Sequence, residues 1–333
     1  MERALITGSA GFIGSHLAEA LLASGVAVRG IDRLSDYYAP AVKRDNLAAV
    51  RELGRERFEF IEADLAEPGV CEAALAGVTQ VFHLAGQPGV RPSWGENFDV
   101  YNRDNLIATQ RLLEAAVGRD LHRFVIASSS SVYGNAETFP TSELSCPAPI
   151  SPYGVTKLAA EQMALLYHEA FEVPSVSLRY FTIFGPRQRP DMAFHRFISA
   201  ALSGDRIQVY GDGRQIRDLT YVSDCVEATI AAGERAEPGG VYNVAGGNCA
   251  SVRDVLDVLA ELSGAPLSVD YGDAKPGDAR RTGASTERLV NDLSFTPRVS
   301  LEEGLRREYE WLRANAADGE PLRRPSHRAL ALT

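Results

Sequence analysis

The chain has 333 residues, 45% of them hydrophobic and 23% charged, as in soluble globular proteins with one large or two ordinary domains. Its formal net charge of −10 argues against nucleic acid or an anionic membrane surface as the main partner. Cys71, Cys146, Cys225 and Cys249 have no spacing typical of zinc or redox sites, so we expect reduced thiols and no metal site. No apolar stretch is long enough to span a membrane, and the chain begins with a strand pattern; we expect no signal peptide and a cytoplasmic location.

The first half of the chain alternates short apolar runs with longer amphipathic stretches, the pattern of a parallel sheet with crossover helices. Strands are predicted at residues 3–8, 27–32, 58–64, 80–86, 123–130 and 175–181, and helices at 12–25, 105–120 and 153–171. The expected fold class is therefore α/β, with a doubly wound parallel sheet.

The second half is less regular. From about residue 181 glycine, proline and arginine are frequent, and helical periodicity returns at 251–264 and 301–315. We expect a first domain at 1–180, to which the chain returns around 217–247. Residues 181–216 and 248–316 are expected to form a smaller C-terminal α/β lobe, and 317–333, which lacks periodicity, a mobile tail.

Three glycines, Gly8, Gly11 and Gly14, lie between the first predicted strand and the first predicted helix. Glycines there allow a tight turn, a close backbone approach to a pyrophosphate, and close packing of helix against strand. The helix start, with Phe12 and Ile13, offers free N–H groups and the positive end of the helix dipole. The pattern predicts a Rossmann-type dinucleotide-binding domain, although its G-x-x-G-x-x-G spacing differs from the commoner G-x-G-x-x-G; turn glycines without a ligand are the alternative.

Asp32 ends the second predicted strand, about 20 residues after the glycines, where an acid can bind the adenosine ribose hydroxyls. Its carboxylate would repel a 2′-phosphate, so NAD is favoured over NADP, although Arg33 beside it weakens this preference. The next two strands end at the same edge of the sheet, where ligands bind. They contribute five further candidates for cofactor binding, Asp64, Leu65, Leu84, Ala85 and Gly86, and we interpret His83 as a core histidine.

Tyr153 and Lys157 stand four residues apart at the start of a predicted helix, so they share one helix face. A pair with this spacing is common on surfaces, but this one follows a strand that ends in hydroxyl groups. A nearby ammonium group and the positive nicotinamide both favour the phenolate form of a tyrosine. Tyr153 can then take the proton of a sugar hydroxyl while hydride passes to NAD, and a serine at the strand end can bond the same hydroxyl.

Together, the segments TGSAGFIGSHL and YGVTK and the serine-rich strand resemble extended short-chain dehydrogenases/reductases, specifically the nucleotide-sugar epimerases and dehydratases. The resemblance extends over nearly the whole chain, to about residue 316. It implies Tyr153 as the base, Lys157 as the partner that lowers its pKa and binds ribose, and Ser129 as the hydroxyl member. It also implies that Asn105 approaches the cofactor phosphates and that Tyr180 lies on the nicotinamide side.

The two positions after Ser129 differ between the reactions of this family. By resemblance, hexose 4,6-dehydratases carry an Asp–Glu pair there and uronate decarboxylases a Glu, whereas this chain has Ser130 and Ser131. Without a carboxyl group there is no obvious general acid for elimination, so the serines favour plain epimerisation. Small hydroxyl side chains that only pack under the cofactor are the alternative interpretation.

Three stretches, IDRLSDYYAPAVKRDNL, HLAGQPGVRPSW and RYFTIFGPRQRPDMAF, resemble UDP-glucuronate 4-epimerases more closely than UDP-glucose 4-epimerases. In the latter an asparagine usually stands at the position of Thr182. The resemblance implies that Ser130, Ser131 and Thr182 contact the uronate carboxylate and that Arg189 helps to position the substrate. By hypothesis, these hydroxyls also hold the β-keto acid intermediate away from the geometry that loses carbon dioxide.

The nucleotide half of the substrate is expected in the C-terminal lobe, at Arg217, Asp278 and Arg280, because arginine bonds diphosphate oxygens bidentately. The expected function is NAD-dependent C4 epimerisation of UDP-glucuronate to UDP-galacturonate through a 4-keto intermediate. The resemblance suggests a homodimer packed through the helices around 102–117 and 153–170. The alternatives are a 4-epimerase of another nucleotide sugar such as UDP-glucose, a UDP-glucuronate decarboxylase, and a non-catalytic dinucleotide sensor on the same fold.

Overall fold

The computed structural model describes residues 3–317, so the predicted tail, apart from its first residue, lies outside the described residues. The strands of this range are β1 Arg3–Thr7, β2 Ala27–Asp32, β3 Phe58–Glu62, β4 Gln80–His83, β5 Arg123–Ser129, β6 Ser175–Tyr180, β7 Ile183–Phe184, β8 Ile207–Tyr210, β9 Ile216–Tyr221, β10 Val241–Val244, β11 Asn248–Ser251 and β12 Val269–Gly272. Its α-helices are α1 Phe12–Ala23, α2 Pro40–Gly54, α3 Val70–Ala74, α4 Phe98–Tyr101, α5 Ala108–Ala116, α6 Pro152–Phe171, α7 Ala193–Ser203, α8 Val222–Arg235, α9 Val252–Ser263, α10 Glu287–Leu293 and α11 Leu301–Ala317.

Seven parallel strands form the main sheet, in the order β10-β6-β5-β4-β1-β2-β3. Helices cover both faces, so the strands read as nearly continuous apolar runs; Ala4, Leu5 and Ile6 of β1 are fully buried. The strand order reverses between β1 and β4, and ligands of such sheets bind at the carboxyl ends beside this switch point. The predicted α/β doubly wound fold is confirmed.

All six strands predicted from the first half of the chain are present. The seventh strand of the sheet, β10, pairs with β6 and comes from within residues 217–247, and α8 from the same segment packs against α1. Only four residues of β10 are paired, too few for a clear periodic signal. The division into an NAD-binding domain and a UDP-sugar-binding lobe stays a prediction.

The remaining strands form two small sheets, β11-β9-β7 and β12-β8, beside helices α7, α9 and α11. One hydrophobic core joins these elements to the main sheet, from Ile6 and Leu17 to Leu256 and Leu305. This continuous core fixes the C-terminal elements against the carboxyl edge of the sheet. Within residues 3–317 no helix is both long and apolar enough to cross a membrane.

Candidate active site

A cavity of about 410 Å³ lies along the carboxyl edge of the main sheet. It extends from the glycine turn after β1, past the ends of β2 and β3, to the ends of β4, β5 and β6. Most of the predicted site residues line it, namely Gly8, Gly11, Phe12, Ile13, Gly14, Asp32, Asp64, Leu65, Leu84, Ala85, Gly86, Ser129, Ser130, Ser131, Tyr153, Lys157, Tyr180, Thr182 and Arg189. Asn105, Arg217, Asp278 and Arg280 do not line it.

The glycine turn leaves room for a dinucleotide. Gly8 has a φ of +70°, and a Cβ there would lie 2.9 Å from the backbone nitrogen of Ala85. A Cβ on Gly14 would collide with the carbonyl oxygen of Gly8. Gly11 caps α1 without a side-chain bond, so N–H groups of the first helical turn are left for phosphate oxygens.

Asp32 lies where an adenosine ribose would be bound. Its Oδ2 accepts from the Ala10 N–H at 3.2 Å and its Oδ1 from the Leu34 N–H at 2.8 Å, so the carboxylate is held rigidly. The neighbouring Arg33 donates to Asp104, from Nη1 at 3.0 Å and Nη2 at 2.5 Å, and to Asp64 at 3.1 Å. Because these carboxylates engage its guanidinium, Arg33 is not poised for a 2′-phosphate. The residues fit NAD.

Tyr153 is placed by the first turn of α6. The Ser151 hydroxyl accepts from the Gly154 N–H at 3.1 Å and caps the helix, and Pro152 suits its first position. The Ser129 hydroxyl lies beside that of Tyr153. Burial raises the pKa of Tyr153, while this neighbouring hydroxyl and the charge of Arg189 lower it. A bound nicotinamide cation would act in the same direction as these two groups.

Lys157 follows one helical turn later. Its Nζ donates to the carbonyl oxygen of Ala127 at 2.8 Å, and burial lowers its pKa to about 8. The ammonium group is thus fixed beneath the end of β5. The predicted pairing of Lys157 with Tyr153 stays a prediction, because the side-chain groups that act on the pKa of the phenol here are Ser129 and Arg189.

The four consecutive serines have different partners because side chains alternate along a strand. Ser128 Oγ donates to the buried Glu161 of α6 at 2.7 Å. Ser129 lies beside Tyr153 and accepts from the Ser131 N–H at 3.1 Å. Ser130 and Ser131 begin a 3₁₀ turn and line the cavity.

Asn105 lies behind the cavity wall. Its Oδ1 accepts from the Gln87 N–H at 2.7 Å, and its Nδ2 donates to the carbonyl oxygen of Gln87 and to Thr156. It sits in a π-helical turn at 102–107, between α4 and α5, and is buried. Asn105 therefore fastens the loop after β4 to α6, and the structure does not show the predicted approach to cofactor phosphates.

The residues predicted to hold the nucleotide differ in their surroundings. Arg217 is largely buried, and its Nη1 donates to the carbonyl oxygen of Ile216. Asp278 Oδ2 accepts from Nε and Nη2 of Arg91, the shorter bond at 2.7 Å, and its predicted contact with ribose stays a prediction. The Arg280 side chain is exposed, its backbone carbonyl accepts from the Ile216 N–H, and its predicted contact with the nucleotide stays a prediction.

The sequence profile of the NAD dependent epimerase/dehydratase family matches residues 4–245. The chain belongs to this family. It is 42% identical, over 92% of its length and 97% of the other's, to a Bacillus subtilis protein named "Uncharacterized UDP-glucose epimerase YtcB". It is 34% identical to the UDP-glucuronate 4-epimerase of Thermodesulfobacterium geofontis, over 93% of this chain and 96% of the other. The structure of UDP-glucuronic acid 4-epimerase from Bacillus cereus, in complex with UDP-glucuronic acid and NAD, is 41% identical, with a TM-score of 0.90 over 94% of this chain and 99% of that one.

In this family member, sequence reasoning missed a group of cations around Tyr210. Arg91, Arg196 and Lys275 lie 4.3, 5.7 and 5.3 Å from the centre of its ring. Their segments come from three distant parts of the chain, and no local spacing predicts that they meet at one ring. The core assignment of His83 is confirmed: both its ring nitrogens bond buried threonines, and burial lowers its pKa to about 3.

Proposed function

We propose that the protein is an NAD-dependent UDP-glucuronate 4-epimerase that forms UDP-galacturonate through a 4-keto sugar. The observation that carries the proposal is the composition of the cavity beyond Tyr153. Ser130, Ser131, Thr182 and Arg189 line that end with hydroxyl and guanidinium groups. Among the described lining residues, the acids Asp32, Asp64 and Asp104 belong to the adenosine end. Donors without acids suit a substrate carboxylate and offer no general acid for elimination.

When bound, NAD supplies the acceptor for the C4 hydride and returns that hydride to the sugar. Tyr153 accepts the proton of the C4 hydroxyl, and the neighbouring Ser129 bonds that sugar hydroxyl and holds it in line. Lys157 has a pKa of about 8, so it is positively charged at pH values below this. From the same helix face, this charge favours the phenolate form of Tyr153. No residue is needed to eliminate water or to lose carbon dioxide.

The UDP half of the substrate would lie against the cations around Tyr210. Arg91 directly follows Val90, which lines the cavity. The charges of Arg91 and Asp278 both influence the pKa of the largely buried Arg217, in opposite directions. Guanidinium groups bind diphosphate oxygens bidentately, and an aromatic ring beside them can stack on a base. This contact would hold the nucleotide firmly while the sugar turns.

The double variant Ser130→Ala/Ser131→Ala is expected to release more decarboxylated UDP-pentose alongside the epimer. Without both hydroxyls the carboxylate of the 4-keto sugar is freer to rotate into the geometry that loses carbon dioxide. The product ratio is measured by mass spectrometry. Ser203→Ala is the control, because that exposed hydroxyl bonds Asp205 and does not line the cavity; an unchanged ratio in the double variant would count against a role of Ser130 and Ser131 in holding the carboxylate.

A 4-epimerase of UDP-glucose is the second candidate, and the name of the Bacillus subtilis relative favours it. The two candidates differ in the charge of the sugar. If Arg189 and the hydroxyls bind a carboxylate, kcat/KM for UDP-glucuronate should exceed that for UDP-glucose by at least about tenfold, since charge-assisted bonds contribute about 1.5–3 kcal/mol. Faster conversion of UDP-glucose would overturn the proposal.

We also propose a homodimer formed through two adjacent helical segments, residues 98–116 and α6. Together they expose Phe98, Val100, Ile107, Val155, Leu166 and Phe171, each 38% exposed or more. Apolar side chains exposed on neighbouring helices are typical of protein–protein interfaces.

The variant Ile107→Glu/Leu166→Glu should therefore be monomeric in light scattering, because the two introduced charges would be desolvated in the interface. Leu144→Glu is the matched control, since Leu144 is 93% exposed and lies outside both segments. A double variant with the mass of the wild-type dimer would exclude this interface.

A cytoplasmic location is proposed from the thiols. All four cysteines are free, and Cys146 and Cys249 are exposed. Exposed free thiols are typical of reducing compartments.

A further inference from the structure

Arg189 is held by a carboxylate that does not line the cavity. Its Nε donates to Oδ1 of Asp191 at 3.0 Å, and its Nη2 donates to Oδ2 at 3.1 Å. Tyr37 Oη donates to the same Oδ2 at 3.4 Å. The Arg189 and Asp191 side chains are only 18% and 19% exposed, so this two-point ion pair is largely withdrawn from water.

The pair limits what Arg189 can offer to a substrate. Bidentate bonds between arginine and a carboxylate are among the strongest polar contacts in proteins. Asp191 already occupies the edge of the guanidinium that is formed by Nε and Nη2. Only Nη1 and the second Nη2 hydrogen are left outside the pair. The negative charge of Asp191 also offsets that of Arg189, so a second carboxylate in the cavity meets a partly neutralised cation.

We propose that Asp191 is a positioning residue that weakens the binding of the uronate carboxylate to Arg189; this inference rests on the proposed function. Epimerisation requires the 4-keto sugar to present both faces to the same hydride, so contacts to the sugar must break once in every turnover. A fully charged guanidinium with both edges free would hold the carboxylate too tightly for that rotation. Asp191 leaves enough attraction to select the uronate and too little to immobilise it.

The variant Asp191→Asn removes the charge with little change of shape. We expect its Kd for UDP-glucuronate, measured by calorimetry, to fall about tenfold, because Arg189 can then form one more charge-assisted bond with the substrate. Its kcat should fall by a similar factor, whereas its Kd for UDP-glucose, which has no carboxylate, should stay within about twofold of the wild type. Asp191→Glu, which keeps the charge, should recover most of the wild-type kcat.

Asp270→Asn is the matched control, because it removes the same charge from an exposed ion pair with Arg206, at 3.1 Å. It should change none of these constants. An Asp191→Asn protein whose Kd for UDP-glucuronate is unchanged or higher would overturn the inference and leave the proposed function standing. A wild-type protein that neither binds nor converts UDP-glucuronate would overturn both.

Discussion

Replacing Tyr153 with phenylalanine is expected to lower kcat by about 10²–10⁴-fold, the usual contribution of a general base. The change removes only the hydroxyl, which lies beside that of Ser129. The ring stays packed edge-on against that of Tyr101, with 6.2 Å between the centres, so the fold and the bound cofactor should be retained. The rate of UDP-galacturonate formation and the NAD content of the purified variant are the two measurements.

Tyr101→Phe is the matched control for this prediction. It removes a phenol hydroxyl from the same aromatic pair, but that hydroxyl donates to the carbonyl oxygen of Pro88. We expect less than about a tenfold loss of kcat, because one net hydrogen bond contributes about 1 kcal/mol. If Tyr153→Phe kept more than a tenth of the wild-type kcat, another group would have to be the base.

Replacing Arg179 with leucine is expected to destabilise the protein by about 3–5 kcal/mol, because an uncompensated buried carboxylate would remain. Arg179 Nε and Nη2 donate to both oxygens of Glu161, and Nη1 donates to Tyr133 Oη at 2.7 Å. The Arg179 and Glu161 side chains are only 4% and 2% exposed. The free energy of unfolding, obtained by urea titration, tests the prediction.

The same substitution should also disturb catalysis. Ser128, which precedes Ser129 in β5, donates to Glu161, so the orientation of the strand end depends on this pair. Arg206→Leu removes an arginine from an exposed ion pair and should cost at most about 1 kcal/mol. Arg179→Leu/Glu161→Leu should recover part of the loss, since it removes both buried charges. If Arg179→Leu lowered the free energy of unfolding by less than about 1 kcal/mol, the Glu161 carboxylate would not be left as an uncompensated buried charge, contrary to the prediction.

The parts of the fold that could be predicted from the sequence are those with a local signal. The strands β1 to β6 are apolar runs bounded by turns, and the glycines Gly8, Gly11 and Gly14 have a spacing that a turn requires. The helix face that carries Tyr153 and Lys157 follows from the helical period alone. These features bring most predicted site residues to one cavity because the carboxyl ends of parallel strands meet at one edge.

Side-chain partners that come from distant segments could not be predicted. Arg91 and Asp278 are 187 residues apart in sequence, and Arg33 and Asp104 are 71 apart. Neither pair has a spacing rule, because each depends on how the loops pack over the sheet. Asn105 illustrates the same limit: its helix was predicted, but not the π-helical turn that directs it towards Gln87.

Proton NMR of the purified protein with UDP-glucuronate in D₂O, without added NAD, tests the proposed reaction most directly. We expect UDP-galacturonate to form with its C4 proton retained, because hydride leaves C4 and returns to it without exchange with solvent. The carboxylate should be retained as well. Formation of a UDP-pentose in place of UDP-galacturonate would contradict the proposal, since decarboxylation would then proceed at a site that has serines where the family's decarboxylases have an acid.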